Sequence, residues 1–228
     1  MLKDKPCKII GHRGAAGLKF ENTLESIKAA IECHVDFIEI DVWITIDNEI
    51  IVFHDTFLDK LTSSNGLVAS KNLKELRDII LPNGEKIPLL IEVISLIKNY
   101  DIPLLVEIKS EKAFEKTLEI LRENLSDSNF IIGSFYHQKI MEYKKMFPEL
   151  QTSIMFECVP AYIDEYLVQV NPDFITIAIE TFNDTLINAV REQNRKLIFY
   201  TINTLNDYEL ALQTDPFGIV TNYPNKFI

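Results

Sequence analysis

Eight short apolar runs, separated by amphipathic segments, constrain this chain more than any other feature. They are Cys7–Gly11, Asp36–Val42, Ile102–Lys109, Asn129–Ser134, Gln151–Phe156, Asp173–Ala178, Lys196–Ile202 and Phe217–Asn222. Several lack strict alternation, the pattern of strands buried on both faces. Helical spacing falls between them, over Asn22–Cys33, Glu111–Leu125, Tyr136–Phe147, Pro160–Gln169, Asn183–Gln193 and Thr204–Gln213. Asn183 and Thr204 stand where N-caps belong. This rhythm predicts an α/β chain of parallel strands joined by crossover helices, and eight strands close a (β/α)8 TIM barrel. The 228 residues suit a single barrel domain over 1–228.

Two stretches break the rhythm. After the second strand, Asp47-Asn48 reads as a turn between two short β arms. Residues of about 56–87 are polar and irregular, with SSNG and PNGE turn signals. They read as a small insertion at one end of the barrel, too short to bury a core of its own. After the last strand only TNYPNKFI remains, so the eighth helix is missing.

Side chains two apart on a strand share a face. Phe37, Glu39 and Asp41 therefore point one way on the second strand, and Leu105, Glu107 and Lys109 do so on the third. Ile10 and His12 share a face on the first. On each strand an apolar residue comes first and charge follows at the C-terminal end. In a barrel these faces point inward, and the charges gather at the C-terminal mouth, where barrel active sites lie. Burying three carboxylates is costly unless they are paired or hold a cation. Glu39, Asp41 and Glu107 make a hard, oxygen-rich donor set that suits Mg²⁺ or Ca²⁺ better than zinc. His12 and His54 are then free for proton transfer, and Arg13 and Lys109 supply positive charge for an anion.

Net charge of −11 disfavours nucleic acid as a partner. No stretch reaches the length of a membrane helix, so no stable membrane insertion is expected. The N-terminus lacks a signal-peptide core. Cys7, Cys33 and Cys158 are scattered and odd in number, which reads as reduced thiols in the cytoplasm. Nothing in the pattern fixes the oligomeric state.

The same residues resemble the glycerophosphodiester phosphodiesterase family. Its pattern stands here as His12-Arg13-Gly14, Glu21-Asn22-Thr23, Glu39-x-Asp41-Val42, His54-Asp55 and Glu107-x-Lys109. The segments LDKLTSSNGLVA, IPLLIEV, YTIN and GIVTNYP extend the likeness over nearly the whole chain. The resemblance implies a barrel enzyme that uses a divalent cation to cleave a small-molecule glycerophosphodiester into an alcohol and glycerol 3-phosphate. It implies His12 and His54 as the acid/base pair and Glu39, Asp41 and Glu107 as metal ligands. It also implies Arg13 and Lys109 as phosphate contacts. The chain departs from the family at Tyr200, where Trp is frequent, and Tyr keeps a flat face for packing substrate. Asn222 stands where Asp is common, Lys60 where Arg is common and His34 where Gly is usual.

A lysophospholipase D or a cyclising phosphodiesterase would use the same core residues, and a catalytically silent phosphodiester binder is a third reading. The first needs apolar surface near the mouth; Phe57, Leu58, Leu61 and Leu67 are available there but are read as packing the insertion down. Trp43 is read as packing outside the barrel or on the β arms, and His137 as a surface residue at a helix start. Glu157, past the fifth strand, is an exposed loop carboxylate or a further metal or substrate contact.

Overall fold

The computed structural model describes residues 5–228. Eight parallel strands close a barrel: β1 (Lys8–Gly11), β2 (Phe37–Ile44), β4 (Leu104–Ile108), β5 (Phe130–Ser134), β6 (Thr152–Phe156), β7 (Phe174–Ala178), β8 (Lys196–Tyr200) and β9 (Gly218–Thr221). β1 pairs with both β2 and β9, which completes the circuit. β3 (Ile50–Val52) folds back antiparallel on β2 as the expected short arm.

Helices α1 (Leu24–Glu32), α3 (Leu90–Ile97), α4 (Ala113–Asn124), α5 (His137–Met146), α6 (Ile163–Val170), α7 (Asp184–Glu192) and α8 (Leu205–Leu212) surround the strands. Thr23, Asn183 and Thr204 cap α1, α7 and α8 by each accepting the backbone N–H group three residues on. After β9 the chain ends in a short 3₁₀ turn, Pro224–Lys226. Between helix and strand lies the main core, built from outward strand residues such as Ile9, Ile38, Ile40, Val42, Val106 and Ile177. The barrel interior holds a separate apolar floor of Ile10, Leu105, Ile131, Met155, Phe174, Ile198 and Val220.

The stretch after β3 carries a third cluster. Leu58, Val68, Leu76, Ile79, Leu81 and Ile87 bury themselves against Trp43, Ile51 and Phe53. The insertion thus borrows a third of this cluster from the end of β2 and the β arm, because it cannot enclose a core alone. A short helix, α2 (Leu73–Arg77), is capped by Asn72 within it. Leu58 and Leu61 pack as expected, but Phe57 and Leu67 do not: they are 53% and 44% exposed. His34 has φ +53°, the left-handed conformation that explains why glycine serves well at this helix end.

Candidate active site

Strand register assembles the carboxylates. Asp41 and Glu107 are direct Cα partners on β2 and β4. Glu39 lies two residues back on β2 and so on the same inward side. The three residues are 1–9% exposed. Each offers an oxygen atom, and these atoms lie within 4.8 Å of one another. Among the described residues this is the one such cluster of acidic, histidine or cysteine donors.

Burial makes this cluster electrostatically strained. It raises Glu39 well above the usual carboxylate range, and the neighbouring Asp41 and Glu107 add to the rise. Glu107 is pushed up to about 7, by burial first and by Asp41 second. Asp41 is the exception: burial opposes its charge, but Lys109 and Arg13 hold it below the ordinary value. An all-oxygen set carrying this much mutual repulsion fits a hard divalent cation, which would let all three ionise together.

The cationic side chains are already engaged. Lys109 Nζ lies 2.5 Å from Glu107 Oε1 and 3.5 Å from Asp41 Oδ1. Arg13 donates from Nη1 to Glu21 at 2.7 Å, and its Nε lies 3.4 Å from Asp41. Arg13 adopts φ +49° and Asn22 φ +55°. Such backbone is unfavourable for both residues and persists because the surroundings hold it. Glu39 accepts the Arg13 backbone N–H at 2.8 Å, the Asn22 N–H bonds the Arg13 carbonyl, and Asn22 Nδ2 bonds Asp41 at 2.9 Å. The Glu-Asn-Thr stretch therefore serves the site: Glu21 holds the guanidinium, Asn22 holds Asp41 and Thr23 caps the helix.

The two histidines differ in their partners. His12 follows β1, its backbone N–H continuing the ladder to Thr221. Its Nε2 lies 3.9 Å from Glu39, and its Nδ1 lies 2.5 Å from Asn222 Oδ1. Burial, aided by Arg13, pushes its pKa down to about 4. His54 arrives by way of the β arm, where Phe53 N–H bonds the Asp41 carbonyl and Trp43 Nε1 bonds the His54 carbonyl at 3.2 Å. Its Nδ1 lies 2.8 Å from Asp55 Oδ1, which Lys60 also contacts at 3.2 Å. Burial lowers the His54 pKa too.

His12, Arg13, Glu39, His54, Glu107, Lys109 and Tyr200 line a single cavity of about 350 Å³ at the C-terminal mouth. Asp41 is buried behind them. The far wall adds Phe135, Met155, Glu157, Thr176, Thr201 and Val220. Tyr200 donates its hydroxyl to the Phe156 carbonyl at 2.8 Å, which presents the ring to the cavity edge. Glu157, read as a loop carboxylate or a contact, is both exposed and part of the lining. His137 is not a surface residue: its ring is half-buried, with Nδ1 2.7 Å from the Tyr166 hydroxyl and Nε2 2.7 Å from the Met155 carbonyl. Two neighbours that sequence reasoning had not drawn upon, Tyr166 and the end of β6, enclose it.

The model of the glycerophosphoryl diester phosphodiesterase family matches residues 12–226. The chain belongs to that family. A glycerophosphodiester phosphodiesterase from Caldanaerobacter subterraneus is 29% identical, with 96% of each chain covered. A human lysophospholipase D is 21% identical over 96% of this chain and 84% of its own. Among solved structures, an Oleispira antarctica phosphodiesterase in complex with its product sn-glycerol-3-phosphate superimposes with a TM-score of 0.89. It is 25% identical, and the match covers 96% of this chain and 94% of that one. The chain is thus a phosphodiesterase-family enzyme on a TIM barrel. Among the described residues no helix is long and apolar enough to cross a membrane.

Proposed function

We propose that this enzyme hydrolyses glycerophosphodiesters to an alcohol and sn-glycerol 3-phosphate, as one catalytic domain working in the cytoplasm. The observation that carries the reading is the single cavity lined by two histidines, two cations and two members of the acidic triad, with Asp41 directly behind them. Glu39, Asp41 and Glu107 would hold the divalent cation, Mg²⁺ or Ca²⁺. When bound, that ion neutralises charge on the phosphodiester oxygens. The scattered free cysteines support the cytoplasmic placement.

Arg13 and Lys109 orient the phosphodiester, Arg13 by its planar fork and Lys109 as a point charge. One histidine takes the proton of the attacking oxygen as it bonds to phosphorus; that oxygen belongs to water, or to the neighbouring glycerol hydroxyl, in which case water then opens the cyclic phosphate. The bond from phosphorus to the leaving alcohol breaks, and the other histidine gives its proton to that oxygen. Imidazole suits both roles because its proton affinity lies near neutrality. Tyr200 packs against the organic part of the substrate.

A panel of glycerophosphodiesters, with coupled detection of glycerol 3-phosphate and metal present, tests this reading. Release from at least one member is expected; silence across the panel overturns it.

Phe57 and Leu67, exposed in the segment after His54, together with the 42%-exposed cavity residue Phe135, favour a second reading. An apolar surface of this kind would admit the acyl chain of a lysophospholipid. Faster turnover of a lysolipid than of glycerophosphocholine would select it, and phosphorus NMR would reveal any cyclic product.

A further inference from the structure

The His12 ring is held from behind by a group that none of the proposed roles includes. Asn222 Oδ1 lies 2.5 Å from Nδ1, on the side of the imidazole away from Nε2, which faces Glu39 at 3.9 Å. An amide oxygen only accepts, so the hydrogen of neutral His12 sits on Nδ1 and the lone pair on Nε2. Asn222 is itself fixed at both backbone groups. Its N–H donates to Asn203 Oδ1 at 3.0 Å, and its carbonyl accepts from Gly17 at 2.8 Å. The adjoining Tyr223 ring lies so close to Gly17 that a Cβ there would meet it at 2.3 Å. Asn203 also accepts, at 3.5 Å, from Thr221, the last residue of β9.

We infer that Asn222 is a positioning residue that locks His12 in the Nδ1–H tautomer, so that His12 enters the cycle as the proton acceptor. The proton of the attacking hydroxyl goes to Nε2 as that oxygen bonds to phosphorus. Nδ1–H stays on Asn222 throughout, and the ring leaves the step as imidazolium. At His54 the same ring atom, Nδ1, faces the carboxylate of Asp55 instead.

The inference rests on the acid/base reading of His12, but its decisive signal does not depend on turnover. The chain has four histidines, so imidazole ¹⁵N spectra of the Mg²⁺-loaded protein can be assigned with single His→Gln variants. His12 is expected to show protonated Nδ1 and unprotonated Nε2 in the wild type and in Asn222→Asp. Asn222→Ala is expected to mix the tautomers and to lower kcat about 10- to 100-fold, the range typical of orienting partners, with KM changed much less. Asn222→Asp, which still accepts from Nδ1, restores most of that loss. Asn203→Ala removes the backbone hold on Asn222 and the long contact from Thr221, leaves the Asn222 side chain in place, and gives a smaller fall in the same direction, serving also if Asn222→Ala fails to fold. A His12 spectrum with protonated Nε2 in the wild type overturns the proposal. So does an Asn222→Ala variant with wild-type tautomer and kcat, or an Asn222→Asp variant as impaired as Asn222→Ala. Silence on the substrate panel with the expected spectrum would instead fault the functional reading.

Discussion

The mouth of this barrel has two unlike halves. β1, β2 and β4, with the β arm, supply His12, Arg13, Glu39, Asp41, His54, Glu107 and Lys109. β5 to β9 supply Met155, Thr176, Tyr200 and Val220, with Glu157 as their exposed charge. The boundary is abrupt: the β5 residue in register with Glu107 is Gly133, where a Cβ would already meet the Met155 methyl at 3.0 Å. Buried charge is costly, so it is concentrated where each group has a partner of opposite sign. Apart from the exposed Glu157, the rest of the rim is neutral, with Ser153 and Thr176 satisfying each other at 2.8 Å. One half is organised for phosphate chemistry and the other for enclosing the organic group and keeping the barrel packed.

The largest expected effect lies in the charged half. His12→Ala and His54→Ala should each lose about 10²- to 10⁴-fold in kcat, the usual worth of a positioned acid or base, with unchanged circular dichroism. Near-wild-type turnover in either would dissolve the distinction between the halves.

A second effect reads the carboxylates through pH. Glu107 in the folded, cation-free protein binds its proton up to about 7, whereas an ordinary Glu loses it near 4.5. Stability from the protonated form is therefore present below 4.5 and lost as pH rises through about 7. The His12 shift acts in the opposite sense: its contribution is present above 6.5 and lost as pH falls through about 4. His54 and His137 are lowered as well, and all three histidines oppose the slope until the unfolded imidazole has lost its proton, at about pH 7.5. The Tm of chelated protein should accordingly fall above about pH 7.5, where Glu107 and Glu39 alone set the slope, and the Tm gain from added Mg²⁺ or Ca²⁺ should grow as pH rises through about 7. A cation effect that shrinks with rising pH would contradict the triad as the binding group.

The smallest effect lies in the neutral half. Tyr200→Phe removes one hydrogen bond to the Phe156 carbonyl and should cost about 1 kcal/mol in stability, measured by denaturant unfolding. Its kcat should stay within about fivefold of wild type, since the hydroxyl points away from the reacting groups. A loss as large as that of His12→Ala would move Tyr200 into the chemical machinery.

The charged half was also the more legible one. Period-two spacing exposes Glu39 and Asp41, Glu107 and Lys109, and Ile10 and His12 as shared faces, and parallel strands in register bring those faces together. Their supports are harder to read. Asn222 is 210 residues from His12, and only closure of β9 onto β1 makes them neighbours. Asp55 and Glu21 sit within recognisable motifs, yet their pairing with His54 and Arg13 depends on how two loops fold back. The fold shows the same limit. Strands and most helices follow local periodicity, but the short apolar run Leu90–Ile97 reads as helix only once Leu90, Val93, Ile94 and Ile97 are seen buried on one face against the main core.

The central claim is that a cation held by Glu39, Asp41 and Glu107 makes this cavity a phosphodiesterase. Its most direct test is glycerol 3-phosphate release from a glycerophosphodiester after exhaustive chelation and then after re-addition of Mg²⁺ or Ca²⁺. Abolished release that returns with the ion is the predicted result; undiminished release from the chelated enzyme would contradict it.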